Sequence, residues 1–119
     1  MKKILIVDDS EIIRTQIRQC FKDVFSGIHL AKNGQEAVDK MRAVKPDIVT
    51  MDLTMPRMDG IQCITHLVEI DPDVNIIVIS ALSDNSTCIE ALKRGAQGFL
   101  DKPFTDEELK SAIEILLED

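Results

Sequence analysis

Asp8 and Asp9 directly follow the apolar run ILIV. Asp52 follows a second such run, Ser80 a third, and Lys102 with Pro103 a fourth. Three carboxylates brought to one partly buried place repel one another, and a hard divalent cation is the simplest remedy. Mg²⁺ takes a few carboxylates with backbone carbonyl and water, and leaves positions for phosphate oxygens. Calcium prefers a larger oxygen set, commonly from a DxDxDG loop, and that string is missing. The ammonium of Lys102 has two possible uses: a structural ion pair with Asp52, or a point charge for a phosphoryl group held by the same aspartate and metal. Ser80 adds a neutral hydroxyl donor. A cis Lys102–Pro103 bond would help turn the lysine back into the crevice. Helix capping explains any one of these aspartates alone, but not all three together with the serine and the lysine.

The elements that must bring these residues together are legible as an alternation of strand and helix. Apolar runs at Lys3–Val7, Ile28–Ala31, Asp47–Met51, Ile76–Ile79 and Gly98–Leu100 are continuous rather than alternating, which suits parallel strands covered on both faces. Five helical patterns lie between and after them. The first carries Ile13, Ile17, Cys20, Phe21 and Val24. The second opens with Asn33 as N-cap and Glu36 three residues later, then shows Ala37, Val38 and Met41. The third follows Gly60 with Ile61, Ile64, Leu67 and Val68. The fourth begins near Asp84, carries Cys88, Ile89 and Leu92, and stops at Gly95. The fifth opens with the capping box Thr105/Glu108 and runs through Leu109, Ala112, Ile113, Leu116 and Leu117. Five βα units predict an α/β, doubly wound, five-stranded parallel sheet, (βα)5. Ligands of such sheets bind beyond the carboxyl ends of the strands, where the residues above collect.

Composition narrows the partners. The 119 residues hold 14 Lys+Arg against 21 Asp+Glu, a net charge of −7, which disfavours contact with a nucleic-acid backbone. No apolar run approaches the roughly 20 residues that span a bilayer, and the N-terminal run stops at Asp8, so neither membrane insertion nor a signal peptide is expected. Three cysteines, Cys20, Cys63 and Cys88, are odd in number and lack a CxxC pair; they read as free thiols of a cytoplasmic protein. His29 and His66 read as surface residues, and Met51, Met55 and Met58 as core and loop packing. Residues 1–119 form one expected domain with no output domain attached.

The ordered set Asp8-Asp9, DLTMPRMDG with Asp52, Ser80-Ala81 and Lys102-Pro103-Phe104 resembles the receiver domains of two-component response regulators over the whole chain. The resemblance implies the flavodoxin-like, CheY-like strand order 2-1-3-4-5, which periodicity alone does not give. It implies that Asp52 is the phosphoacceptor and that Asp9, with Asp8 nearby, holds Mg²⁺ together with Asp52 and the backbone carbonyl of Thr54. Ser80 matches the switch hydroxyl, Lys102 the phosphate-pairing lysine and Phe99 the aromatic switch. Serine stands where threonine is commoner, and Phe99 lacks the phenolic hydroxyl of the tyrosine found in some members. Thr54 and Leu82 flank the phosphoryl position.

The implied donor is a phosphohistidine on a histidine kinase, and the implied product is a signalling state, so the chain is not expected to be an enzyme in the usual sense. PDIVTMD and TMPRMDG resemble chemotaxis receivers, which makes a monomer docking on the flagellar motor switch through its fourth helix, fifth strand and fifth helix the first expectation. The alternative is a phosphorelay intermediate that hands its phosphoryl group to a histidine phosphotransferase through its first helix and the loops around Asp52. A flavin module of similar fold would need a Ser/Thr/Gly-rich loop where Asp8-Asp9-Ser10-Glu11 stands. An aspartyl-phosphate hydrolase would need DxDxT after the first strand.

Overall fold

The computed structural model describes residues 2–53, 60–81 and 85–117. Strands and helices alternate along the chain: β1 (Lys3–Val7), α1 (Glu11–Phe21), β2 (Gly27–Ala31), α2 (Gly34–Val44), β3 (Ile48–Asp52), α3 (Gly60–Ile70), β4 (Asn75–Ala81), α4 (Asn85–Lys93), β5 (Gly98–Lys102) and α5 (Asp106–Leu117). The strands form one sheet in the order β2-β1-β3-β4-β5, and every pairing is parallel. This is the CheY-like α/β fold expected from the sequence.

Side-chain alternation along the strands divides the core in two. Ile4, Ile6, Ile48, Ile77, Ile79 and Leu100 meet Ile17 and Phe21 of α1 and Leu109 and Ile113 of α5. Leu5, Val7, Val49, Met51, Ile76 and Val78 meet the buried sides of α2, α3 and α4. Covering on both faces explains why β1 and β4 read as unbroken aliphatic runs. Each fully buried aliphatic side chain contributes about 1.5–3 kcal/mol relative to exposure.

The helix starts are built by their own sequences. Ser10 Oγ accepts the Ile13 N–H, and Asn33 Oδ1 accepts the Glu36 N–H at 2.8 Å. Glu36 reaches back one residue further than a capping box requires, to the Lys32 N–H. At α5 the box closes reciprocally, with Thr105 Oγ1 accepting from Glu108 N–H and Glu108 Oε1 from Thr105 N–H. Gly95 ends α4 at φ +124°, a conformation that favours glycine.

One helical assignment needs correction, and one helix shows a buried side that spacing did not specify. Val24 lies beyond the end of α1 in a turn and is 58% exposed. Ile89 and Leu92 point outward from α4, whose buried side is made instead by Cys88 and Ala91. Helical spacing alone places apolar residues on a common stripe; it does not say that the stripe faces the sheet. Strand ends also differ: β3, β4 and β5 continue through Asp52, Ala81 and Lys102, so three polar site residues belong to strands rather than to the loops after them. At the other end β3 starts one residue later than predicted. Asp47 instead clasps β1, its carboxylate accepting the Lys3 N–H. Among the described residues no helix is long and apolar enough to cross a membrane.

Candidate functional site

Register brings the chemistry to one edge. Val7 lies opposite Met51 on the neighbouring strand, so the residues that follow, Asp8 and Asp52, emerge side by side at the carboxyl end of the sheet. Both are 1% exposed. Asp8 is fixed further by its backbone: its N–H donates to Ala31 O at 3.1 Å, and its carbonyl accepts from Arg14 Nη1 at 2.7 Å. One Asp8 oxygen also accepts the Ser10 N–H at 2.9 Å. Asp9, next in the chain, is exposed.

Lys102 comes from β5 on the far side of β4 and reaches across to this pair. Its Nζ lies 3.1 Å from Asp8 Oδ2 and 3.6 Å from Asp52 Oδ1. The sequence pointed to Asp52 as the lysine's ion-pair partner; the ammonium bridges both carboxylates and stands nearer Asp8. The Lys102–Pro103 peptide bond is cis. Burial raises the Asp8 carboxyl above its usual range. The Ser10 N–H opposes this rise, the neighbouring Asp52 charge adds to it, and Lys102 opposes it.

One carboxylate oxygen from each of Asp8, Asp9 and Asp52 lies within 4.8 Å of the other two. Three hard oxygen donors against one ammonium leave an excess of negative charge, with two of the carboxylates buried and Asp9 open to solvent. That donor set fits a small divalent cation, whose bonds to oxygen run about 2.0–2.1 Å for Mg²⁺. A pocket of about 250 Å³ lies between α1, the end of β2 and the start of α2, lined by Arg14, Leu30, Ala31, Lys32 and Glu36, and none of the three carboxylates lines it.

Ser80 and Phe99 belong to the other side of this edge. Strand alternation sets Ser80 with Ile76 and Val78 on the face of α4, where its Oγ lies 3.0 Å from Cys88 Sγ and is 1% exposed as a residue. Phe99 is 51% exposed on the edge strand β5. Thr54 and Leu82, and with them Met55 and Met58, lie outside the described residues. His66 is exposed and His29 partly so, both away from the carboxylates; burial, with Lys40 and Lys3, holds the His29 imidazole below its usual range.

Sequence reasoning missed three supports of the site. Arg14 clamps the Asp8 carbonyl, and Cys88 contacts Ser80. Gly60 lets α3 press on the end of β3: a Cβ there would come 2.7 Å from Leu53 Cα and 2.9 Å from Asp52 O. Only for Gly60 was there a usable signal, a glycine opening a helix directly after the segment DLTMPRMD.

Comparison with known proteins agrees with this geometry. Residues 4–114 match the response regulator receiver domain family. The chain is 43% identical over 115 residues to the chemotaxis protein CheY of Listeria monocytogenes, covering 96% of this chain and 97% of that one. It is 41% identical over 112 residues to the chemotaxis protein CheY of Bacillus subtilis, with 93% of each covered. Among solved structures it superposes on a CheX–CheY–BeF3–Mg²⁺ complex from Borrelia burgdorferi with a TM-score of 0.93 at 36% identity, covering 99% of this chain and 90% of that one. The chain therefore belongs to the response regulator receiver family and is CheY-like, a signalling protein and not an enzyme in the usual sense.

Proposed function

We propose that Asp52 accepts a phosphoryl group from a phosphohistidine of a histidine kinase, and that the resulting acyl phosphate switches a protein-binding face in chemotaxis signalling to the flagellar motor. One observation carries this reading: the Asp8, Asp9 and Asp52 oxygens lie within 4.8 Å of one another, beside the Lys102 ammonium.

Asp8, Asp9 and Asp52, with the Thr54 carbonyl, would hold Mg²⁺. The ion would supply charge neutralisation for phosphoryl oxygens. An Asp52 carboxylate oxygen attacks phosphorus, the P–N bond to histidine breaks, and its electron pair leaves with the imidazole. Lys102 offsets charge on the transferred oxygens. Ser80 donates its hydroxyl to the new phosphoryl group, and Phe99 responds to that movement. Attack by water in the same geometry later removes the group.

Support for the chemotaxis reading comes from the CheY relatives and from the surface. Ile89 and Leu92 of α4 and Phe99 of β5 are 54%, 38% and 51% exposed, an apolar set fit to dock a target. The phosphorelay alternative has its own observation: Ile12 on α1, next to the acidic cluster, is 80% exposed and could meet a histidine phosphotransferase. We read residues 1–119 as one receiver domain acting as a monomer in the cytoplasm.

Binding of the parent, treated with acetyl phosphate and Mg²⁺, is to be compared with Asp52→Asn against a motor-switch protein and a histidine phosphotransferase. Phosphorylation-dependent capture by the motor-switch protein is expected. Capture only by the phosphotransferase favours the relay, and equal behaviour of parent and Asp52→Asn overturns both.

A further inference from the structure

Ser80 stands on the α4 side of the sheet edge, while by strand alternation Asp52 and Lys102 belong to the side of α1 and α5. Its hydroxyl is buried and has a partner there, Cys88 Sγ at 3.0 Å. Cys88 is itself buried, 5% exposed, on the inner side of α4 with Ala91. We propose that Cys88 is a positioning residue: its sulfur holds the Ser80 hydroxyl toward α4, and this contact must open before the hydroxyl can serve a phosphoryl group on Asp52. The inference rests on the reading of Ser80 as a phosphoryl partner.

The chemistry of the pair suits a latch that releases. A thiol is a weak donor and a weak acceptor, so the bond to it is worth less than one between two hydroxyls. A hydrogen bond to a charged phosphoryl oxygen is about twice as strong as a neutral one and outcompetes it. The thiol left behind behaves as a small hydrophobe among Val78, Ala91 and their neighbours, so release exposes no strongly polar buried group. A serine side chain moves between staggered rotamers in one rotation about χ1. Because Cys88 belongs to α4, the same rotation removes a contact between β4 and that helix. The outward side of α4 carries the exposed Ile89 and Leu92, so the latch links the hydroxyl's position to the apolar surface.

The test is the affinity for beryllofluoride with Mg²⁺, followed by calorimetry and NMR, in the parent, Cys88→Ala, Cys88→Ser, Ser80→Ala and the Ser80→Ala/Cys88→Ala double variant. Cys88→Ala is expected to tighten binding about three- to tenfold, the worth of one weak hydrogen bond. Cys88→Ser restores a partner that bonds more strongly than the thiol, and is expected to bring affinity back to the parent value or below it. In the Ser80→Ala background, Cys88→Ala is expected to change nothing. A purely structural role for Cys88 would act equally in both backgrounds, and that result, or no effect of Cys88→Ala in the parent, overturns the latch. Ser80→Ala separates the two ideas: if it binds beryllofluoride as tightly as the parent, the reading of Ser80 itself fails. The parent alone supplies an arm that needs no folded variant. The Cys88 Cβ resonance should shift on adding beryllofluoride and Mg²⁺, and an unmoved resonance counts against the latch.

Discussion

The Lys102 ammonium lies 3.1 Å from Asp8, nearer than its 3.6 Å approach to Asp52, so two buried carboxylates share one lysine, which offsets only one of their two charges. The pair is asymmetric in exposure: Asp8 is 1% exposed, whereas the lysine side chain keeps 26%. In this arrangement the ammonium already stands within reach of Asp52, where the proposed function would use it.

Removing that amine leaves two buried like charges without their shared partner. Lys102→Ala is expected to lose about 1–3 kcal/mol of stability without divalent cation, less than for a fully buried pair because water reaches the lysine. Added Mg²⁺ should recover most of the loss, and phosphorylation should no longer produce the parent's amide-shift response. Urea titrations with and without Mg²⁺ check the first two points. A cation-free variant as stable as the parent would contradict the electrostatic account.

Proton and metal compete at Asp8. Burial raises its folded-state pKa above the ordinary 3.8, with Asp52 adding to the rise. A raised pKa means the folded state binds the proton more tightly. Asp8 therefore contributes stability that is full below the unfolded value and is lost as pH rises through the folded one. Stabilisation by Mg²⁺ runs the other way, because the ion needs the carboxylate. Mg²⁺ affinity is expected to fall by about tenfold per pH unit once the pH drops below the raised value, and Asp8→Asn should flatten that dependence. Calorimetric titrations across the acid range measure it; a pH-independent affinity would be the contrary result.

Thr50 is fully buried in β3 and its hydroxyl finds no hydrogen-bond partner among the described residues. It sits in line with Ile48, on the face of Ile6 and Ile77. Valine has nearly the same shape without the unsatisfied group, so Thr50→Val is expected to raise stability by about 1 kcal/mol. Denaturant midpoints test this, and a loss of stability would show that the hydroxyl has a partner.

Gly60 should not tolerate a methyl group. The Cβ of Gly60→Ala would fall 2.7 Å from Leu53 Cα and 2.9 Å from Asp52 O, against backbone that cannot give way cheaply. A loss of about 1–3 kcal/mol is expected, together with slower phosphorylation, because the displaced backbone carries Asp52. Denaturant midpoints and phosphorylation rates check both points, and a variant with parent stability would contradict the clash.

Much of this was legible in order along the chain. Asp8-Asp9 after ILIV, and Lys102-Pro103 near the start of a capped helix, mark strand ends because charge abruptly interrupts an apolar run. The expected strands stopped short at Met51, Ile79 and Leu100 for the same reason. Asp52, Ser80 and Lys102 are polar, and hydropathy cannot distinguish a last strand residue from a first loop residue. Contacts made through space were not legible. Nothing in the spacing of Arg14, or of Cys88 and Ser80, says that one reaches a carbonyl and the other a hydroxyl. Ile89 and Leu92 lie on α4 as expected, but spacing did not say that the small residues Cys88 and Ala91, rather than these large ones, face the sheet.

Reductive trapping tests the central claim most directly. Protein treated with acetyl phosphate and Mg²⁺ is quenched with borohydride, which converts an aspartyl phosphate to homoserine, and its peptides are sequenced by mass spectrometry. Homoserine at position 52, dependent on Mg²⁺ and absent from Asp52→Asn, is the predicted result. Homoserine at another aspartate, or none at all while the parent retains its fold, would contradict it.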